Sequence, residues 1–529
     1  MNAVRISSSP FKGEAGWGMG WCGQKFRRIV RHFFPIPTPS LPLKGRERGS
    51  ARLPGNSHQE HRPFRPLLSA AFVALAMLPT SRAGAFDTVD PFGTEAIAPP
   101  RPRLAPPDGS GFVPCRPLPA GTVYSVLEVV DQALCRNPRT HEAWASARAQ
   151  AAGVGVARAA YLPELNAGVA MSHQRADGTS ANPRSASLTL AWLLYDSGAR
   201  DASLEYARQL LSAAAGTLDA TVQTVFLAAL QAYYNAQAAR AALGAALESE
   251  KASRESLTAA ETRYRIGTAT PADRLQAQTA WSQAVLNRIR AEGAVRTTLG
   301  TLANVMGFDA GMPVVLDDIP ETAPDAAFER DVEALIAEAR RRRPDLLAAE
   351  AQVRAARANI DQARAAGRPT LSLSAGPVWQ DTGSISTHGQ SIGLTLTLPL
   401  FSGFDTTYRV RAAEARAEMA GAQHETLRQQ VALEVWTNYQ DLITATHSIR
   451  TAGDLLASAE QSERVALGRY KAGVGTILDV LNAQSALASA RVQRIQAALD
   501  WSVSRAALAR AVGTLDNRLL NPAAELPIP

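Results

Sequence analysis

Residues 264–278 read Y-R-I-G-T-A-T-P-A-D-R-L-Q-A-Q, and residues 470–484 read Y-K-A-G-V-G-T-I-L-D-V-L-N-A-Q. Tyr264 aligns with Tyr470, Gly267 with Gly473, Thr270 with Thr476, Asp273 with Asp479, Leu275 with Leu481 and Gln278 with Gln484, each pair 206 positions apart. The same offset relates Asn137-Pro138 to Arg343-Pro344, Leu162-Pro163 to Arg368-Pro369, Leu194-Tyr195 to Leu400-Phe401, and Met306-Gly307 to Val512-Gly513. A constant offset across a whole half implies duplication without net insertion, so one architecture is built twice. The repeats span 122–307 and 328–513, with 308–327 as a linker and 514–529 as a short C-terminal tail.

Within each repeat the periodicity changes class in the same order. Residues 125–160 and 329–366 are rich in Ala and Arg with helical spacing, and Pro163 and Pro369 stop them. Alternating segments follow: Leu188, Leu190, Trp192 and Leu194 in the first repeat, and Ile392, Leu394, Leu396, Leu398 and Leu400 in the second. Each is preceded by a weaker strand candidate, 164–174 and 370–380, so the strands occupy about 163–197 and 369–402 as two hairpins. A length of about 9 to 11 residues suits a tilted strand crossing a bilayer, and a small sheet packed on helices fits the same pattern.

No proline occurs between Asp201 and Pro271, or from Leu400 to Asn521. A helix over 198–264 would span roughly 100 Å, too long to be buried within one compact domain, so the helices should pack side by side as a coiled coil. Second helices return over 272–306 and 477–512. The opening stretch is therefore the turn of a long helical hairpin, and the strands lie at the other end of the helices. At both turns Thr270 and Thr476 precede an acid by three positions, the helix-start pattern that an aspartate cap explains on its own. Gly267 and Gly473 fit left-handed helix stops.

The net charge of +7 invites a nucleic-acid reading, but its location excludes one. Residues 1–85 hold 13 basic against 3 acidic residues, leaving 42 basic against 45 acidic in the remainder. Residues 1–60, rich in Gly, Pro and Arg, read as an over-extended translation start or disordered leader. Residues 61–85 read as a signal peptide, with an apolar run over 67–78 and a small-residue cleavage site ending at Ala85. Residues 86–121, with nine prolines between Pro91 and Pro119, are expected to form an extended, largely unpacked arm. Past the leader no uninterrupted apolar run reaches the about 20 residues of a membrane-spanning helix, so insertion must be by strands. Cys115 and Cys135 remain as an even pair in an exported chain, which favours a disulfide over two unpaired thiols. No P-loop, zinc-spaced His cluster or G-x-S-x-G is present, which argues against an enzyme and calls for no cofactor or metal.

Four strands with a lipid-suited face cannot close on themselves, and an open edge in hydrocarbon leaves backbone groups without partners. Three copies would supply twelve strands, enough for a closed barrel with a lumen, continued by a ring of helices. The doubled order of elements, with Y-x-x-G-x-x-T-x-x-D at both turns and L-P-x-L and L-x-L-P-L-F-S-G beside the strands, resembles the TolC family of outer-membrane channel proteins. The stretch C-x(19)-C-R-N-P from Cys115 to Pro138 looks like the branch of CyaE-type exporters of type I secretion.

The resemblance implies a mainly α fold with a small membrane β part. A homotrimer would form a 12-stranded barrel in outer-membrane lipid, continued by a periplasmic α-helical barrel. It implies a periplasmic adaptor, and an inner-membrane ABC transporter for protein secretion or a proton-driven pump for drug or metal efflux. A periplasmic coiled-coil adaptor without a barrel is the remaining alternative. At the entrance the resemblance places Asp479 in an acidic ring facing the lumen, where like charges raise one another's pKa and attract cations. Asn482 stands where the most familiar relative has a second acid, and Gly475 where it has a basic residue that closes the tip. Closure is then rebuilt by Lys471, Arg265 or Tyr470 against Asp273, or the entrance is held more loosely. Trp192, Tyr195, Trp379 and Phe401 suit an interfacial aromatic girdle, or simple packing at the strand ends.

Overall fold

The computed structural model describes residues 90–104, 113–116, 122–176, 178–317, 331–383 and 385–515. The leader, the signal peptide and most of the C-terminal tail lie outside the described residues, as do parts of the arm and linker. Each repeat opens with two consecutive helices: α2 (Val126–Arg136) and α3 (Pro138–Ala159) in the first, α6 (Val332–Arg342) and α7 (Pro344–Ala365) in the second. The break between them follows from the sequence, because a residue before proline avoids helical backbone and proline suits the first helical position. Asn137 and Arg343 accordingly take extended ψ values of 128° and 122°.

The kink residues also hold the returning helix. Asn137 Nδ2 donates to the Val305 carbonyl at 2.9 Å, and Arg343 Nη1 donates to the Ala511 carbonyl at 3.3 Å, the same position in each repeat. Gly307 and Gly513 end those returning helices at φ 80° and 83°. A β-carbon on Gly307 would lie 2.8 Å from the Arg136 carbonyl oxygen, so glycine is required for approach as well as for the left-handed turn.

The long hairpins are α4 (Ala199–Arg265) with α5 (Pro271–Val305), and α8 (Asp405–Lys471) with α9 (Ile477–Val512). α4 and α8 each have 67 residues, about 100 Å of helix. α4 packs on α3, α5, α7 and α9, and α8 packs on α7 and α9, so the two repeats interleave. The main apolar core gathers α2, the middle of α4 around Phe226 and Tyr233, and the ends of α5 and α9. α4 contains a stretch apolar enough on composition to span a bilayer, but it is one segment of a 67-residue helix whose side chains from Val225 to Ala236 contribute to that core.

Between α3 and α4, β2 (Glu164–Met171) and β5 (Arg184–Tyr195) form an antiparallel hairpin, extended at its loop by the short strands β3 (Gln174–Ala176) and β4 (Thr179–Ala181). Between α7 and α8 lies the hairpin of β7 (Thr370–Asp381) and β8 (Ser386–Thr397). The two join in one sheet of order β2-β5-β7-β8. In the inner strand β7, the β5 ladder omits Gly376 and Pro377. Proline has no N–H to give, and a β-carbon at Gly376 would lie 1.8 Å from the Leu188 carbonyl oxygen. A joint of polar contacts fixes the sheet to the helices: Arg200 bonds Asp196 at 3.0 Å and the Leu193 carbonyl at 2.6 Å, and Trp192 Nε1 donates to the Tyr161 carbonyl at 3.0 Å.

The expectation of an unpacked arm does not hold for 90–104. This segment includes helix α1 (Thr94–Ile97) and is bonded along α3 through Arg158 to the Phe92 carbonyl and Trp144 Nε1 to the Pro99 carbonyl, while Leu104 enters the core. Proline content sets the backbone conformation, whereas the exposed face of α3 supplies the surface on which that backbone lies. Further on, Cys115 is joined to Cys135 of α2 with Cα atoms 5.6 Å apart, and the two-residue strand β1 (Val123–Tyr124) pairs in parallel with β6 (Val315–Leu316) of the linker. The disulfide closes a loop with a sequence separation of 20, worth about 3 kcal/mol in the chain-entropy account. Reducing it, or replacing Cys135 with serine, should lower the denaturant midpoint accordingly; identical midpoints with and without reductant would contradict this.

Candidate entrance at the paired helical tips

The two hairpin turns are built alike. After α4, Gly267 takes φ 77° and the Thr268 N–H returns to the Arg263 carbonyl; after α8, Gly473 takes φ 78° and the Val474 and Gly475 N–H groups return to Arg469. Both returning helices begin with a complete capping box. The Thr270 N–H donates to Asp273 Oδ2 at 2.8 Å and the Thr476 N–H to Asp479 Oδ2 at 3.0 Å, and the Asp273 and Asp479 N–H groups each reach their threonine hydroxyl at 3.2 Å. The Thr476 backbone N–H, then its hydroxyl, hold the Asp479 carboxyl below its usual value, with a further contribution from the Arg469 charge. Within one chain, capping thus acts opposite to the mutual repulsion of a ring. Asp479 remains exposed, and Asp273 is half-buried.

The contact that joins the two tips is not among those the sequence brought forward. Arg265 and Lys471 lie exposed, and among the described residues neither forms an ion pair. Asp273 is occupied by its own cap. Instead, Arg263 lays its guanidinium 4.0 Å above the Tyr470 ring and donates from Nη2 to the Tyr470 carbonyl at 2.6 Å. Tyr470 is only 6% exposed, packed with Ala260, Ala277, Ile477 and Val480. Its repeat counterpart Tyr264 is exposed, with Arg274 over its ring at 5.3 Å. About two turns deeper along α4, Ser256 and Gln484 exchange hydrogen bonds across α4 and α9. Nothing in the sequence separates Arg263 from its neighbours, because the repeat offset pairs it with Arg469 and the bond crosses between repeats. Gly475 has a structural reason of its own: a β-carbon there would stand 3.1 Å from Arg469 Cβ and the Tyr470 nitrogen. A long basic side chain fits this tighter turn only if the backbone shifts.

At the other end of the hairpins the sheet separates its chemistry by face. The pairs Leu165 with Leu190, Trp192 with Leu373, Leu373 with Leu394 and Leu371 with Leu396 share one face, and Ile392, Leu394 and Leu396 are strongly exposed there. The pairs Asn166 with Thr189, Gly168 with Ser187, Ser372 with Thr395 and Ser374 with Gly393 share the other. Register puts Trp192 opposite Leu373 and Trp379 six residues further along β7, about 20 Å apart on the apolar face. That spacing is close to the height of the lipid-facing band of an outer-membrane barrel. Tyr195 and Phe401 lie at the Trp192 end, where Phe401 meets Phe404 edge-on at 5.5 Å.

The sequence profile of the family described as Outer membrane efflux protein matches residues 129–308 and 335–514, the two repeats in turn. The chain is 36% identical over 415 residues to Protein CyaE of Bordetella pertussis, covering 76% of this chain and 87% of that one. It is 26% identical over 432 residues to Outer membrane protein TolC of Escherichia coli, covering 76% and 86%. Among solved structures, a membrane protein from Pseudomonas aeruginosa superposes with a TM-score of 0.67 at 26% identity, covering 74% of this chain and 91% of that one.

Proposed function

Because the chain belongs to the outer membrane efflux protein family, we propose that three copies of it form the exit duct of a tripartite export system. The family is one of outer-membrane channels with a periplasmic helical tube, not of enzymes. The observation that carries the reading is the four-stranded sheet with one apolar face, one small polar face and two unpaired edges, β2 and β8. In hydrocarbon those edges require strands from other copies, and three such sheets make a twelve-stranded barrel with the polar face lining its lumen.

The helices support the same assembly. α5 presents exposed Leu275, Leu286 and Ile289, and α8 presents exposed Leu455 and Val465. Counted from the tips, Leu275 is level with Val465 and Leu286 with Leu455, so α8 of one copy can cover α5 of the next. Each copy then contributes two hairpins to the entrance, where a periplasmic adaptor and an inner-membrane transporter would dock and three copies of Asp479 would form one acidic ring. Replacing Asp479 with asparagine should lower cation preference in planar-bilayer recordings; an unchanged reversal potential in an intact trimer would remove the ring.

For cargo, the reading is protein export with an ABC transporter. It is supported by the C-x(19)-C-R-N-P stretch and by higher identity to CyaE, 36%, than to E. coli TolC, 26%. Deleting the gene should remove specific polypeptides from the culture supernatant. A normal supernatant with sensitivity to small toxic compounds would transfer the duct to a proton-driven drug or metal efflux pump.

A further inference from the structure

Away from the tips and the strands, the N-terminal arm lines one side of a half-open cavity of about 320 Å³ whose walls include the exposed Arg101, Arg103 and Arg136, with His141, Trp144 and the Cys115–Cys135 disulfide. The cavity is fixed on several sides. Trp144 Nε1 holds the Pro99 carbonyl at 3.1 Å, and Glu95 of the arm meets Arg148 at 3.6 Å. Cys115 is kept at φ 62°, a left-handed conformation unusual outside glycine, by its disulfide and by an N–H bond of 2.8 Å to Asp131 Oδ2.

The cations are positioned without being neutralised. Arg101 lies 4.5 Å from the centre of the Trp144 ring and Arg136 lies 4.7 Å from that of Phe308, contacts that orient a guanidinium while leaving its N–H edge free. Among the described residues Arg101, Arg103 and Arg136 form no ion pair. The nearby carboxylate Asp131 is 2% exposed and turned to the Cys115 N–H and the Cys135 sulfur, and Glu95 is engaged with Arg148. Three guanidinium groups with no ion pair among the described residues, at the wall of a cavity of ligand size, match the planar, bidentate geometry of a carboxylate or phosphate.

We propose that this cavity is an anion-binding site for a carboxylate or phosphate group in the periplasm. Its position separates it from lipid headgroups. From Trp144, which lines the cavity, α3 runs a further 15 residues to Ala159, about 23 Å toward the start of β2. The ligand is therefore a soluble anion or the acidic peptide of the cell-wall polymer. The arm that forms one wall precedes the residues matched by the family profile, whereas Cys135, Arg136, His141 and Trp144 fall within them.

The test uses the full chain purified in detergent, with inorganic phosphate in a binding titration and purified cell-wall sacculi in a co-sedimentation assay. Saturable binding that weakens with salt is expected, with affinity falling about tenfold for each guanidinium removed in R101Q and R136Q. R136K, which keeps the charge, should bind better than R136Q. Phosphate binding without sedimentation identifies a soluble anion, and sedimentation competed by phosphate identifies the wall polymer. No saturable binding to either probe overturns the site. So does equal binding by wild type and an R101Q/R136Q variant that still forms conducting channels.

Discussion

Replacing Arg263 with glutamine should open the entrance. The guanidinium makes one cation–π contact with Tyr470 and one charge-assisted bond to its carbonyl, and it is half-buried. Together these should stabilise the closed pairing of the two tips by about 2 kcal/mol per copy. Losing that much raises the splayed fraction of each tip roughly thirtyfold, because about 1.4 kcal/mol is tenfold. Planar-bilayer recordings should show larger and longer openings for R263Q than for wild type. R263K, which keeps charge but not the planar fork, should fall between them. Tyr470→Phe should resemble wild type, since the ring and the carbonyl both remain, whereas Tyr470→Leu should resemble R263Q. Equal conductance and open time in R263Q and wild type would show that closure rests elsewhere.

The second large effect is on stability, at the kink of the second repeat. Arg343 is 6% exposed and binds Asp345 at 2.7 and 3.0 Å, Glu434 at 2.5 Å and the Ala511 carbonyl, while Arg510 holds the other Glu434 oxygen at 2.6 Å. Removing Arg343 leaves Asp345 and Glu434 half-buried and incompletely paired, so R343M should cost about 2 kcal/mol. Burial alone would push the Asp345 carboxyl up, but hydrogen bonds and charge from Arg343 outweigh it and leave it below its usual value.

A depressed carboxyl pKa contributes stability above the unfolded value, near 4, and loses it as pH falls through the folded one. In R343M only burial remains dominant, and the carboxyl should rise instead. The gap between wild type and R343M should therefore be widest at neutral pH and shrink as pH falls, first through the raised carboxyl value in R343M and then through the depressed wild-type value. Circular dichroism of thermal unfolding across that range would show it. A constant gap would mean that Arg343 acts through packing alone.

These two residues differ in how visible they are before folding. The repeat, the proline stops, the alternating strands and both capping boxes are local patterns, legible because helix and strand periods and cap chemistry are set by residues within a few positions of one another. The kink at Arg343 belongs to this group, since Pro344 announces it. Its ionic partner Glu434 does not, lying 91 residues from Arg343 and 76 from Arg510, the two cations it binds. The same holds for Gly376, whose need for glycine comes from the Leu188 carbonyl on a neighbouring strand.

The duplicated stretch at 264–278 and 470–484 determined by itself that there are two helical hairpins, where each turns, and that threonine and aspartate start the returning helices. Only the tertiary structure decided that the copies are unequal, with Tyr470 buried under Arg263 and Tyr264 left in solvent. Both turns satisfy the same backbone requirements, so their sequences agree. The difference arises because α4 packs against α9 across the repeats and so closes one tyrosine into an interface that the duplication alone does not specify.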